Sequence, residues 1–446
     1  MDTIRQVALN LQEVLLVDAA EVARQTDFER RDSKLSGGRF VQATVLGCLA
    51  HPRPTLEELA QTAASRGAPV QPQAIDERFT DSAAECLRGV LDRTIRRVVA
   101  TQPQAPELIG RFRGVMIQDS TVVTLPDACA GAWPGCGGRT DEGGKAAIKF
   151  QVRLDLSDGA LTGPHATVGT AADATSDLQA TELPPGSLEI ADLGYFDLDK
   201  FARKDAMGAF WLSRLQEKTA RFTEQGQRLD LGRYLGGQGA EVWVVDQPIR
   251  MGSRHRLACR LVAFRVPAEQ AARRRQRMIE KARDKGRQPA AARLALCDWN
   301  IFVTNIPEAM ADAAAVSVLA RCRWQIECIF KLWKSGGGRL GQSRSRRPAR
   351  VLCEVLATMI GLVIQHWLLV AAVWRRGDRS LQKAAGAVRA FAASLAAALG
   401  DLDGLMGQIR GVVERLSAAA RLTKRKSKPN SHQLLTEPTI YGRTLT

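Results

Sequence analysis

The chain has 446 residues, 45% hydrophobic and 25% charged, a globular balance that excludes a mostly disordered protein and, at about 150 residues per domain, allows about three domains. Lys and Arg total 63 against 47 Asp and Glu, a formal net charge of +16, which points to a polyanionic partner, nucleic acid before an anionic membrane. An odd nine cysteines without a CxxC, and only five histidines, exclude a disulfide framework and a zinc site and imply a reducing compartment, hence a cytoplasmic protein.

Residues 1–105 are expected to be a helical N-terminal DNA-binding region. In the opening segment Val7, Leu11, Val14, Leu15 and Val17 share one face, and acidic residues interrupt the apolar ones, so it is not a signal peptide. Thr55 and Glu58 spell a capping box that starts a helix, Gly67 and Pro69 end it, and a short helix follows from about Pro72 with Ala74, Ile75 and Phe79 as its apolar positions. The pair is a helix-turn-helix candidate. Glu57, Glu58, Asp76 and Glu77 leave an ordinary helical hairpin equally open.

Residues 106–216 change to strand patterning. VMIQDSTVVTL carries Asp119, two strands flank a turn at Ser157-Asp158-Gly159, and LEIAD ends in Asp192 before a helix and the strand AFWLSRL. This is a mixed α/β sheet. Residues 217–305 read as an antiparallel β insertion containing a strongly basic helix with Arg273, Arg274, Arg275 and Arg277. Residues 306–350 hold a helix with RCRWQIECIFKLWKS, and residues 351–423 form an Ala/Leu-rich helical region. Within it Leu356–Val373 is long enough to span a bilayer, but Gln365 and His366 lie mid-run and Glu354 just before it, so a buried core helix is expected. Residues 424–446 are a basic, extended tail with Lys424, Arg425, Lys426 and Lys428.

The helix around Glu327 is the most informative stretch. At about 100° per residue, Arg323, Glu327, Lys331 and Lys334 fall on one narrow stripe. Trp324, Cys328 and Leu332 flank it on one side, and Ile326, Ile329, Phe330 and Trp333 on the other. A solvated edge with i±4 ion pairs has such a stripe, but apolar flanks on both sides suit a cleft floor. Asp119 and Asp192 each punctuate an apolar run. Taken singly they read as turn or cap residues. Taken with Glu327 they make three carboxylates, stable together only around cations, and all-oxygen ligation suits Mg²⁺ or Mn²⁺. Two such ions serve phosphodiester displacement.

QDST at Asp119, DLGYF at Asp192 and RWQIECIFKLWK at Glu327 resemble, in that order, the DD-E transposases of bacterial insertion sequences, closest to insertion-sequence family four. The resemblance runs from the N-terminal helical segment to the tail, and the 134 positions between Asp192 and Glu327 leave room for that family's β insertion. It implies an RNase H-like α/β core interrupted by the insertion and flanked by helical regions. It implies Asp119, Asp192 and Glu327 as catalytic metal ligands for two Mg²⁺ or Mn²⁺ ions, and cut-and-paste transposition by a homodimer acting on terminal inverted repeats and target DNA. It implies further that no membrane is a partner and that the setting is the bacterial cytoplasm, at the nucleoid. The resemblance gives Arg323 and Lys334 phosphate contacts and lets Trp299 hold a flipped base. It also matches Lys149 to a strand-initial lysine, although Gln151 stands where the family often has His. Ala320 stands where the family has Tyr, and Leu193 where it commonly has Arg. These two departures are the support for the alternative, a degenerate DNA-binding protein or repressor; a structure-directed nuclease without strand transfer would share the same carboxylates. From Arg321 to Arg350 nine Lys or Arg accompany the single acid Glu327, so Lys331, Arg339 and Arg344 are further DNA-contact candidates, and the glycines of SGGGRL allow close approach to the backbone.

Overall fold

The amide of Glu58 donates to the Thr55 hydroxyl (3.2 Å) and the amide of Thr55 to the Glu58 carboxylate (2.6 Å), closing the expected capping box, and the helix Leu56–Ser65 starts there. The structure, a computed structural model, describes residues 2–102, 105–136, 145–334, 338–374, 376–423 and 429–436. The chain divides into two units. One comprises Met1–Gln104, Asp119–Ala172 and Gln325–Thr423; the other comprises Ala105–Gln118, Asp173–Trp324 and Lys424–Thr446.

The first unit is built on the helix Pro348–Val373. Of its most apolar 18-residue window 94% is buried, against the helices Gly37–Ala50, Asp81–Thr94 and Leu402–Ala418, so the run is a core helix of this unit. Two of its buried polar side chains make hydrogen bonds: Gln365 Nε2 donates to the Ala385 carbonyl (3.3 Å) and His366 Nε2 bonds the Gly159 carbonyl (2.8 Å). The opening helix departs from simple periodicity. Between Thr3–Gln12 and Ala19–Gln25 the segment Glu13–Asp18 is π-helical, and its wider turn shifts the register. Val17, expected on the apolar face, is therefore exposed, while Asp18 is buried between Arg93 (3.0 Å) and Arg97 (2.7 Å). The helix-turn-helix candidate consists of Leu56–Ser65 and Pro72–Glu77. Asp76 of the second helix pairs with Arg347 and Arg350, both at 2.7 Å, which ties the helix to the start of the core helix.

Strand β1 (Val115–Leu125) crosses the division between the units, which falls between Gln118 and Asp119. In the first unit the order is β3-β2-β1, with β2 (Ala146–Asp155) antiparallel to β3 (Leu161–Val168) around the expected turn. In the second unit the order is β1-β4-β5-β9-β8-β7-β6. There β4 (Leu188–Ala191) is parallel to β1, and β5 (Phe210–Arg214) is parallel to β4. With β1 common to both, the order 3-2-1-4-5 is that of an RNase H-like core. The insertion strands β6 (Arg221–Phe222), β7 (Val244–Met251) and β8 (Leu257–Arg265) are all antiparallel. They join the core sheet through β9 (Trp299–Thr304), which pairs with β8 and, from Leu212↔Thr304 onward, with β5. Phe201 and Trp211 stack at 4.4 Å at the centre of the hydrophobic core of this unit.

Candidate active site

Asp119 lies within β1, and Asp192 directly follows the last residue of β4. Val115 and Ile117 of β1 and Leu188 and Ile190 of β4 are buried, which fixes the pairing by its apolar side chains. The parallel register runs from Val115↔Leu188 to Gln118↔Ala191, on strands about 4.8 Å apart. In sequence the next residue is Asp119 after Gln118, within β1, and Asp192 after Ala191, just past the end of β4. Both are half-buried. The Asp119 carboxylate accepts from the Ser120 amide (2.8 Å), and the Asp192 carbonyl accepts from the Tyr195 amide (2.9 Å), so Asp192 opens a tight turn as β4 ends.

Glu327 lies on the helix Trp324–Lys334. This helix is separated from Ala313–Cys322 by a turn at Arg323, where one continuous helix is expected from the sequence. Ile326, Ile329, Phe330, Leu332 and Trp333 anchor it by burial, leaving Glu327 half-buried and Lys331 and Lys334 exposed, as the wheel predicts. Trp324 departs from the wheel: it is 47% exposed, because the side of the helix it shares with half-buried Cys328 is only partly covered. Burial raises the Cys328 thiol, an effect that Glu327 reinforces and Lys331 opposes. Desolvation lowers the Lys334 ammonium from its ordinary value although its side chain reaches solvent.

Two expected DNA contacts are buried. Lys149 is 8% exposed on β2, a strand buried along its whole length, and its ammonium donates to the Ala171 carbonyl (2.5 Å). Trp299, expected to hold a flipped base, is 3% exposed in the β-insertion core with Leu261 and Val303, and the Arg265 guanidinium covers its ring at 4.4 Å. Arg339 and Arg344 are exposed. Of the nine cations between Arg321 and Arg350, Arg347 and Arg350 are engaged by Asp76, and Arg350 also by Glu354 (2.8 Å). On the insertion helix Ala268–Arg283, Arg273 pairs with Glu269 (2.5 Å), Arg275 pairs with Asp298, and Arg274 donates to Asn300 (2.8 Å). Ser335–Gly337 and the tail cations Lys424, Arg425, Lys426 and Lys428 lie outside the described residues. Asp173, which no sequence motif marks, comes close to the Asp192 turn: a Cβ on Gly194 would sit 3.3 Å from its carboxylate.

The donor set of Asp119, Asp192 and Glu327 is all carboxylate and fits a hard divalent cation in its chemistry. Asp119 and Glu327 belong to the first unit and Asp192 to the second. Among the described residues no group of three or more His, Cys, Asp or Glu side chains stands close enough to hold a metal ion. Comparison with known proteins gives a consistent picture. Residues 110–364 match the family described as transposase DDE domain. The chain is 25% identical over 363 residues to the transposase for insertion sequence element IS231F of Bacillus thuringiensis subsp. israelensis, covering 77% of this chain and 75% of that protein. It is 26% identical over 367 residues to the IS231B transposase of Bacillus thuringiensis subsp. berliner, with the same coverage. It is 24% identical over 319 residues to the IS1151 transposase of Clostridium perfringens, covering 67% of this chain and 66% of that protein.

Proposed function

The chain belongs to the DDE transposase family, and from that membership we propose that it cleaves the phosphodiester at the inverted-repeat ends of its own element and joins the freed 3′-hydroxyls to target DNA, as a homodimer. Asp119, Asp192 and Glu327 would hold divalent cations, Mg²⁺ or Mn²⁺, by their carboxylates. When bound, two such ions neutralise charge on the attacking and leaving oxygens. Arg323, at the turn before the Glu327 helix, and Lys334, on that helix, grip phosphates on either side of the scissile bond, and Lys331 adds a cation to the same track. The desolvated surroundings of Lys334 strengthen its attraction for a phosphate oxygen.

The observation that carries the reading is the β1–β4 register. Gln118 pairs with Ala191, and in sequence Asp119 follows the first and Asp192 the second, which supports the reading. The test is cleavage of a labelled duplex carrying the flanking inverted repeat, in Mg²⁺, with a target plasmid to capture strand transfer. Glu327→Gln and Asp119→Asn abolish cleavage while mobility-shift binding persists. Cleavage retained by either variant removes that carboxylate from the chemistry. Wild-type protein that binds the repeat and never cuts it is the degenerate binder instead.

A further inference from the structure

Within the first unit a cleft of about 370 Å³, its open mouth included, lies between the segment that precedes the helix Leu56–Ser65 and the loop that follows the Glu327 helix. Arg53, Arg339 and Arg344 line it, together with Gln342, Ser343 and Thr358. The one acid in its lining, Glu354, is bonded to Arg350 at 2.8 Å. Glu58, whose carboxyl is held below its ordinary value by the Thr55 amide first and by His51 and Arg344 to a smaller extent, takes the amide (2.6 Å) and hydroxyl (3.0 Å) of Thr55 on one oxygen and has the His51 ring 3.6 Å from the other. The cleft is therefore strongly positive.

Its arginines are prepared for an anion. Arg53 sits between Pro52 and Pro54, which restrict the backbone on both sides and reduce the entropy lost on binding. Its Nε is buried and makes no hydrogen bond, although buried charged donors are normally satisfied. Arg339 takes a left-handed backbone (φ +45°), rare for a residue with a side chain, and Gly341 (φ +82°) lies so near Val123 that a Cβ would fall 2.5 Å from it. Such constrained backbone gathers at binding sites. Guanidinium forks match the geometry of a phosphodiester.

We propose that Arg53, Arg339 and Arg344 form a receptor for one backbone phosphate of duplex DNA, additional to the contacts of Arg323 and Lys334. The receptor rests on the proposed DNA-cutting function and extends its DNA track into the N-terminal helices. Duplex DNA is favoured over a free phosphate ion because exposed Lys331, Lys334 and Arg346 continue the positive charge along the same stretch of chain.

The test is binding of the full chain to a fluorescein-labelled duplex of unrelated sequence, without divalent metal, across a salt series. Each phosphate contact contributes about 0.9 to the slope of log K against log salt. Arg53→Gln and Arg339→Gln each lower the slope by about one. The double variant lowers it by that same amount, because both arginines hold one phosphate. Arg53→Lys, which keeps the charge, retains the slope. Unchanged melting temperatures certify the fold, and Arg339, being exposed, supplies the second independent variant. An unchanged slope in both Gln variants overturns the receptor, as does a double variant that loses twice as much. A free-phosphate site is the other source of the same chemistry: inorganic phosphate then raises the wild-type melting temperature while the DNA slope ignores Arg53→Gln, and the proposal fails. Cleavage of the end duplex, measured in parallel, separates the two readings. Glu327-dependent cleavage with an unmoved slope overturns the receptor alone; a lowered slope in a chain that never cuts overturns the nuclease alone.

Discussion

The ring nitrogen Nε2 of His366 lies 2.8 Å from the carbonyl oxygen of Gly159, which joins the middle of the core helix to the β2–β3 turn. Full burial pushes this imidazole down to about 4, so it is neutral at pH 7 and donates its N–H to the carbonyl. In the same turn Asp158 is pushed up to about 6, by burial first and by neighbouring Asp155 second.

These two groups set opposite pH dependences. The depressed His366 contributes stability that is present above its unfolded value near 6.5 and is lost as pH falls towards 4, up to roughly 3 kcal/mol. The raised Asp158 contributes stability that is full below about 4 and is lost as pH rises through 6. Between pH 6.5 and 4 the two oppose each other. Thermal melting of the wild type across this window shows a shallow slope. Asp158→Asn steepens the loss on the acid side, and His366→Gln flattens or reverses it. A slope indifferent to His366→Gln contradicts the burial argument.

Gly159 occupies a left-handed backbone (φ +82°), and a Cβ there would sit 2.7 Å from the Trp374 ring. Trp374 is itself tied to the turn, donating from Nε1 to the Leu156 carbonyl (3.3 Å). Gly159→Ala meets both obstacles and costs roughly 2 kcal/mol or more. Urea denaturation measures the loss, and Gly186→Ala is the control: Gly186 has φ +81° but only the Arg113 Cβ at 3.8 Å, so its loss is smaller.

Local chemistry made much of this fold legible. The capping box at Thr55 and Glu58, the turn at Ser157–Gly159 and the inward Gln365 and His366 each depend on residues close in sequence or on a steep burial cost. The motif order gave the candidate carboxylates from local pattern too, Asp119 and Asp192 because each punctuates an apolar run and Glu327 because it shares a helix stripe with cations. Longer-range relationships were not legible. The pairing of Leu212 with Thr304 joins positions too distant for any local pattern to announce. The burial of Lys149 and Trp299 depends on what covers a sheet from outside, and the exposure of Trp324 on what does not. The π-helical segment that turns Asp18 inward has no periodic signature. Arg53 could have been noticed as an arginine between two prolines, but its cleft is completed by a loop nearly three hundred positions away (Arg339 in particular).

Trp299 separates a packing role from a DNA contact. As a core residue under the Arg265 guanidinium, it contributes by packing. Trp299→Ala costs roughly 3–5 kcal/mol, and Trp299→Phe much less. The decisive comparison is at a temperature where Trp299→Phe is fully folded by circular dichroism: its cleavage of the end duplex matches wild type. A selective loss of cleavage by the folded Phe variant would return the indole to the DNA.

Glu189 lies on β4 three positions before Asp192. Its carboxylate is 2% exposed and is held by the ammonium of Lys204, itself only 14% exposed. Residue Glu189 is paired in register with Met116 of β1 and Trp211 of β5, so disturbance there is transmitted to the strand that presents Asp192. Removing one partner of a buried ion pair leaves an uncompensated charge and typically costs 3–5 kcal/mol, whereas replacing both by apolar residues of similar size is often neutral. Lys204→Met therefore loses roughly that amount in urea denaturation. Glu189→Leu combined with Lys204→Met recovers most of it. Neither side chain takes part in the proposed chemistry, so end cleavage by the double variant recovers together with its stability. Restored stability without restored cleavage would instead assign the buried pair a part in positioning Asp192.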